Sequence, residues 1–228
     1  MDIGQTVQVD TFEAKWAEEN ALKKLRRDIG LFGRTMFPTA LNKDIPPFHN
    51  EIYKSLADVS KRRVLIAAPR GTAKSTVTSL ILPLHKIAFK PSAEDLFIVI
   101  ISESQSQSIN FLSRIKYLLD NSNNFKQMFG DYGATTAKRW TNNDIVLANG
   151  ARIIAVGTGQ RVRGFIEGDT RPNLIIIDDY ESELNAATAE GRAKNRKWVT
   201  EAVIPSLSDD GRVVMIGTVI SEDCFLYW

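Results

Sequence analysis

One cysteine, two histidines and no long apolar run leave this 228-residue chain without three features that assign proteins to classes. Cys224 has no second cysteine to pair with, which excludes an internal disulfide and fits a reducing, cytosolic setting. Two histidines beside that cysteine supply too little for a His/Cys metal cluster. The first residues, Met1 to Asp10, are mixed polar and lack the apolar core of a secretion signal. The longest purely apolar stretch, Leu96 to Ile101, falls far short of the ~20 residues that span a bilayer. A soluble protein without a membrane partner is expected. An excess of one charge is missing too: 29 Lys and Arg face 27 Asp and Glu. That balance neither demands nor excludes nucleic acid, because one face can be basic on a near-neutral whole. What remains, 43% hydrophobic and 25% charged residues, is enough for a sizeable core in one domain with a small appendage. Internal repeats and low-complexity tracts are absent.

Residues 1–60 differ from the rest and read as a helical N-terminal appendage. Phe12, Trp16, Leu22, Leu25 and Ile29 recur at helical spacing, predicting an amphipathic helix from about Thr11 to Gly30. A loop with Pro38, Pro46 and Pro47 follows, then a short helix over Phe48 to Val59. From residue 61 to 228 apolar runs alternate with helical patterns. Val64–Ala68, Phe97–Ile101, Leu174–Ile177 and Arg212–Ile216 read as buried strands; Lys74–Ala88, Ser104–Leu119 and Arg192–Val203 read as helices. Asp144–Leu147 and Ala151–Val156 form a predicted hairpin turning at Asn149-Gly150. Strands without polar alternation imply a parallel sheet covered on both faces, hence an α/β, doubly wound fold.

The strongest local signal follows the first core strand: Ala68-Pro69-Arg70-Gly71-Thr72-Ala73-Lys74-Ser75-Thr76. It matches the G-x-x-x-x-G-K-[ST] phosphate loop with Ala68 and Ala73 at both glycine positions. Small residues let successive N–H groups turn inward around phosphate oxygens, and the following helix N-terminus adds its positive end. Residues Pro69 to Thr76 are therefore the candidate nucleotide cradle, with Lys74 on the β- and γ-phosphates and the Ser75 hydroxyl on Mg²⁺. Alanine fits the loop only if its backbone avoids positive φ.

A second signal is Leu174-Ile-Ile-Ile-Asp178-Asp179-Tyr-Glu181. A buried strand here delivers carboxylates to the crevice where open α/β sheets bind ligands. Asp178 is placed to hold Mg²⁺ with Ser75. Asp179 and Glu181 compete for the carboxylate that polarises the attacking water, and Glu181 is favoured for its longer reach. The Gly-rich segment before this strand carries Arg161 and Arg163, candidates for offsetting charge on the γ-phosphate, with Arg163 ahead. Arg70 inside the loop is another such candidate, and Arg171 a weaker one. Gly217-Thr218 ends the last strand and is a candidate γ-phosphate sensor that couples hydrolysis to motion. Phe48 opens its helix as a hydrophobic staple, or stacks on an adenine ring with His49 or Asn50 at the base edge.

In order, Pro-Pro-Phe-His, the Arg-Gly phosphate loop, Arg-Val-Arg-Gly, Ile-Ile-Ile-Asp-Asp-Tyr-Glu and Ile-Gly-Thr resemble the ATPase domain of the large terminase subunit of tailed bacteriophages, over Pro46 to Thr218. The resemblance implies a RecA/ASCE-like P-loop NTPase with ATP and Mg²⁺ at the site, and it agrees with Glu181 as the base. It also implies a pentameric ring that drives double-stranded DNA into a procapsid, with the portal protein and small terminase subunit as partners in the host cytoplasm. The family's C-terminal nuclease domain finds no room after Gly217-Thr218, so no nuclease activity is expected of these residues. Ala73 and the Asp-Asp-x-Glu sequence depart from the family pattern. Two other readings stay open: a helicase-like nucleic-acid remodeller, and a nucleotide-binding scaffold without turnover.

Overall fold

The structure is a computed structural model that describes residues 4–41, 46–90, 95–160, 170–182, 185–220 and 222–226, with side chains from residue 16 onward. The described chain runs α1 (Gly4–Arg27), α2 (Ile29–Met36), α3 (Phe48–Ala57), β1 (Arg63–Ala67), α4 (residues 74–88), β2 (Phe97–Ser102), α5 (Gln105–Asn121), α6 (Asn123–Phe129), β3 (Arg139–Trp140), β4 (Asp144–Val146), β5 (Arg152–Gly157), β6 (Leu174–Asp178), α7 (Ala189–Trp198) and β7 (Arg212–Gly217). The strands form one seven-stranded sheet in the order β1-β7-β6-β2-β5-β4-β3. The first five in that order are mutually parallel, and β4 and β3 close the far edge antiparallel.

Central strands are apolar on both faces because both faces are covered. Ile98, Ile100, Ile176 and Val214 join one cluster with the helices α2 to α5, and Val99, Ile101, Ile175, Ile177 and Met215 join another with Val199 and Val203 after α7. Strand β1 is the exception to the sequence reading. Read as buried, it is an edge strand whose Leu65 is 53% exposed, because no element covers its second face among the described residues. The predicted hairpin forms as β4 and β5, with Gly150 at φ 81 in the turn. Two elements went unread: α6, and the two-residue β3.

The N-terminal helices depart further from what the sequence predicts. The helix predicted to stop at Gly30 breaks instead at Asp28, whose carboxylate accepts from Leu31 N at 2.8 Å, and a new helix continues to Met36. Gly30 and Gly33 are sites of close packing. A Cβ on Gly30 would lie 2.9 Å from the Tyr53 ring, and one on Gly33 would lie 2.6 Å from Leu41 Cδ1. Leu25, Ile29, Phe32, Met36, Ile52 and Leu56 share one apolar cluster with the sheet, so these helices are part of the core. Phe32 is its centre, within 6.5 Å of the Phe37, Phe89, Phe125 and Phe129 rings.

Replacing glycine by alanine in a helix ordinarily adds ~0.5–1 kcal/mol. At Gly30 the buried Tyr53 ring reverses the sign, since a methyl forced into a packed site costs about 1–3 kcal/mol. Gly30→Ala is expected to lower stability by about 1 kcal/mol in thermal or urea melts. A gain would show that α2 moves aside freely.

Candidate nucleotide site

The site is assembled where β1, β6 and β7 end, at the C-terminal edge of the parallel strands. Ala67 ends β1, and the chain turns through residues 68–73 into α4. Two residues of that turn are left-handed, Gly71 at φ 79 and Ala73 at φ 55. The condition that alanine here avoids positive φ is therefore not met. Ala73 takes the glycine-like conformation at a local cost of about 1 kcal/mol. Thr72 Oγ1 donates to Pro69 O at 2.8 Å across the turn, and buried His49 holds the Thr72 carbonyl from outside through Nε2 at 2.6 Å.

Lys74 opens α4 and is only 4% exposed. Its Nζ donates to Thr218 Oγ1 at 3.2 Å and lies 3.4 Å from Asp179 Oδ2. Asp179 has φ 44, which turns its carboxylate back across β7, where Oδ1 accepts from Thr218 N at 3.1 Å. One position earlier, Asp178 is 2% exposed. Its Oδ1 accepts from Ser75 Oγ at 2.9 Å, and its Oδ2 from Ser79 Oγ. Burial pushes the Asp178 carboxyl up to about 6, held back by the hydrogen bonds from Ser79 and Ser75.

One strand, β7, lies between the loop-bearing β1 and the acidic β6. With a phosphate-type loop on one side and paired carboxylates on the other, this is the P-loop NTPase arrangement. No family model and no curated protein matches the chain by sequence. Solved structures do. The ATPase domain of the Thermus phage P74-26 large terminase aligns at 15% identity and a TM-score of 0.51, over 79% of this chain and 67% of that one. The HK97 bacteriophage large terminase aligns at 11% identity and a TM-score of 0.52, over 81% of this chain and 35% of that one. The fold is that of a large-terminase ATPase domain. This chain spans about a third of the HK97 terminase, 35% of its length.

Within this terminase-type fold the predicted site residues separate into two groups. Lys74, Ser75, Asp178, Asp179 and Thr218 are in direct contact, and Gly217 sits beside them: a Cβ there would meet Asp179 Oδ1 at 3.3 Å and Leu226 Cδ1 at 2.6 Å. Arg70 is exposed on the loop. Phe48, 37% exposed, packs edge-on against His49, 4.6 Å between ring centroids, and His49 is the residue that touches the loop. Glu181 is elsewhere: its Oε2 accepts from Phe225 N at 2.7 Å, tying the acidic turn to the segment after β7. Arg171 donates to Pro205 O at 3.3 Å before β6 begins, at the opposite edge of the sheet, and is no candidate for phosphate contact. Arg161 and Arg163 lie outside the described residues.

Two contacts at this edge were missed from sequence. Ser79 sits one helical turn after Ser75, a spacing that puts both hydroxyls on one face and was there to be read. His49 at Thr72 O joins residues 23 apart and left no local signal. The donor set suits a hard cation: hydroxyl and carboxylate oxygens, with a buried Asp178 that lacks full compensation for its charge. Ser75 and Asp178 are the residues that would hold Mg²⁺. Among the described residues no three His, Cys, Asp or Glu side chains cluster as a protein-only cage, and Mg²⁺ typically completes its shell with phosphate and water.

Asp178 makes a pH prediction. Its carboxyl titrates near 3.8 when unfolded and near 6 when folded, so the folded chain holds the proton more tightly between those values. Metal-free stability is therefore lost as pH rises through that window, on the order of 3 kcal/mol at neutral pH. In chelator, Asp178→Asn is expected to melt above wild type at pH 7.5, with the gap closing toward pH 4. Equal melting at pH 7.5 would show that Ser75, Ser79 and Lys74 already neutralise the burial.

Proposed function

We propose that this chain is the ATP-hydrolysing motor of a viral DNA-packaging terminase, a magnesium-dependent ATPase that moves double-stranded DNA into a procapsid. The observation that carries the reading is the contact between the Lys74 helix start and the acidic end of β6, across the intervening strand. Lys74, buried beside backbone N–H groups of a left-handed turn, is placed to take negative charge on the β- and γ-phosphates. Mg²⁺ bound by Ser75 and Asp178 would neutralise the developing phosphate charge.

Asp179 is assigned as the carboxylate that orients and polarises the attacking water. Its Oδ2 faces the Lys74 ammonium, whereas Glu181 is engaged with the Phe225 N–H. This reverses the preference taken from side-chain reach and from the family resemblance. Thr218 touches both Lys74 and Asp179, which suits a sensor of the γ-phosphate, and Gly217 behind it bears on Leu226. Arg70 on the exposed loop is assigned to the γ-phosphate, and Arg163 retains the finger role on sequence grounds. A pentameric ring, the portal protein and the small terminase subunit belong to the same proposal and rest on the family resemblance of the sequence motifs.

Steady-state phosphate release with and without double-stranded DNA tests this. Lys74→Ala is expected to lower turnover by about 10²-fold or more. Asp179→Ala is expected to lose turnover while still binding ATP, and Glu181→Ala to keep at least a tenth of it. Wild-type turnover in Lys74→Ala would overturn the site. Loss in Glu181→Ala with activity in Asp179→Ala would return the base to Glu181.

A further inference from the structure

At the opposite edge of the sheet, where the parallel strands begin, an open cavity of about 600 Å³ lies between α1, α3, α4 and the sheet. Five cationic side chains line it, Arg26, Arg62, Lys86, Lys90 and Arg212, against two carboxylates, Asp95 and Asp210. Asp210 is already committed to Arg62 at 2.8 Å. Asp58, whose charge acts on Arg212, is engaged by Ser60 and Lys61.

The plain account of such cations is that they answer helix C-termini, since α1, α3 and α4 all end here. The carbonyls are in fact answered by other atoms. His85 Nε2 donates to Leu25 O at 3.2 Å and Arg26 O at 3.1 Å, and the two Nη atoms of Arg212 donate to Leu56 O and Ser55 O at 2.7 Å each. What is left over is positive. Arg212 Nε is buried with no hydrogen-bond partner. Half-buried Lys86 makes no hydrogen bond or ion pair among the described residues. Burial first, then the charges of Arg212 and Arg26, hold Lys86 below the ordinary lysine range. The unpaired Lys86 ammonium, beside the charge of a guanidinium whose Nη donors are turned to backbone, leaves positive charge at the cavity that a bound anion would offset.

We propose that this cavity is a second anion site, binding a phosphate group between Lys86, Arg212 and Arg26. Three positive charges carried by α1, α4 and β7, close enough for Arg26 and Arg212 to act on Lys86, suit a doubly charged oxyanion better than a single carboxylate. The volume exceeds that of phosphate alone, and Ile29, Leu56 and Phe89 give it an apolar wall. The ligand class is therefore a phosphate ester, either a free phosphorylated molecule or a backbone phosphate of DNA. Lys86 lies twelve residues along α4 from Lys74, about 18 Å of helix, so this site is separate from the nucleotide site and does not depend on hydrolysis there.

The test uses the full chain carrying Lys74→Ala, so that the phosphate loop does not contribute. Thermal melting is followed with inorganic pyrophosphate in one arm and a short double-stranded oligonucleotide at low salt in the other. A ligand that binds only the folded state raises the melting temperature with concentration. A rise in the pyrophosphate arm assigns the site to a free phosphate compound, and a rise in the oligonucleotide arm alone assigns it to DNA. Adding Lys86→Gln or Arg26→Gln is expected to weaken the effect at least tenfold in concentration. Ligand-free melting of Lys86→Gln at or above the parent temperature shows that it folds, and Arg26→Gln, at the exposed rim, is the second probe if it does not. No rise in either arm, or a rise that neither substitution reduces, overturns the proposal.

Discussion

Two buried opposite charges, Lys74 and Asp178, set the terms for this structure. Lys74 is 4% exposed and Asp178 2%, yet they do not pair with each other. The ammonium is met by one hydroxyl and the edge of a neighbouring carboxylate, and the carboxylate by two serine hydroxyls. Hydroxyls offset only part of the desolvation of a full charge, which is why Asp178 holds its proton up to about pH 6. A site left in that condition presents positive charge at one point and negative charge beside it. Its electrical complement is a bound anion and cation side by side, as in a metal–phosphate pair.

That constraint explains local features that otherwise look like defects. Asp179 adopts φ 44, unusual for a residue with a side chain, and an extended conformation there would send its carboxylate to the face of the sheet opposite Asp178. Ala73 at φ 55 is the same kind of concession, made so that the loop can turn ahead of Lys74. In α4, residues Thr76–Ile81 are π-wound, with Leu82 N reaching back to Val77 O, and Ser79 lies inside this widened segment. Winding of this kind costs helix regularity and is common where a helix must present a polar group inward. Here the group is the second hydroxyl on Asp178.

The sequence was legible where one physical requirement controlled a run of residues. Double-sided burial wrote β2, β6 and β7 as unbroken apolar runs, and the turn into α4 announced itself through Gly71 and Lys74 followed by Ser75. It was misleading where two requirements use one residue type. Gly30 looked like a helix stop and is a packing position against Tyr53. Val64–Ala68 looked buried because strand composition does not distinguish a covered face from an uncovered edge. Glu181 and Asp179 were inseparable in sequence because the choice depends on which way the chain turns after β6. The left-handed residue at 179 turns Asp179 toward Lys74, while Glu181 Oε2 meets the Phe225 N–H.

Lys74 and Lys86, near the two ends of α4, stand in opposite conditions. At the C-terminal edge Lys74 has partners that would have to be exchanged for a ligand, namely Thr218 and Asp179. At the N-terminal edge Lys86 has none among the described residues, so a ligand there displaces only water. The first arrangement gives every step of binding or release a competing internal contact, and the second gives none. The two positions are ~18 Å apart on one helix, beyond the range at which substitutions ordinarily interact, so a change at Lys86 reports on its own cavity and leaves Lys74 as it was.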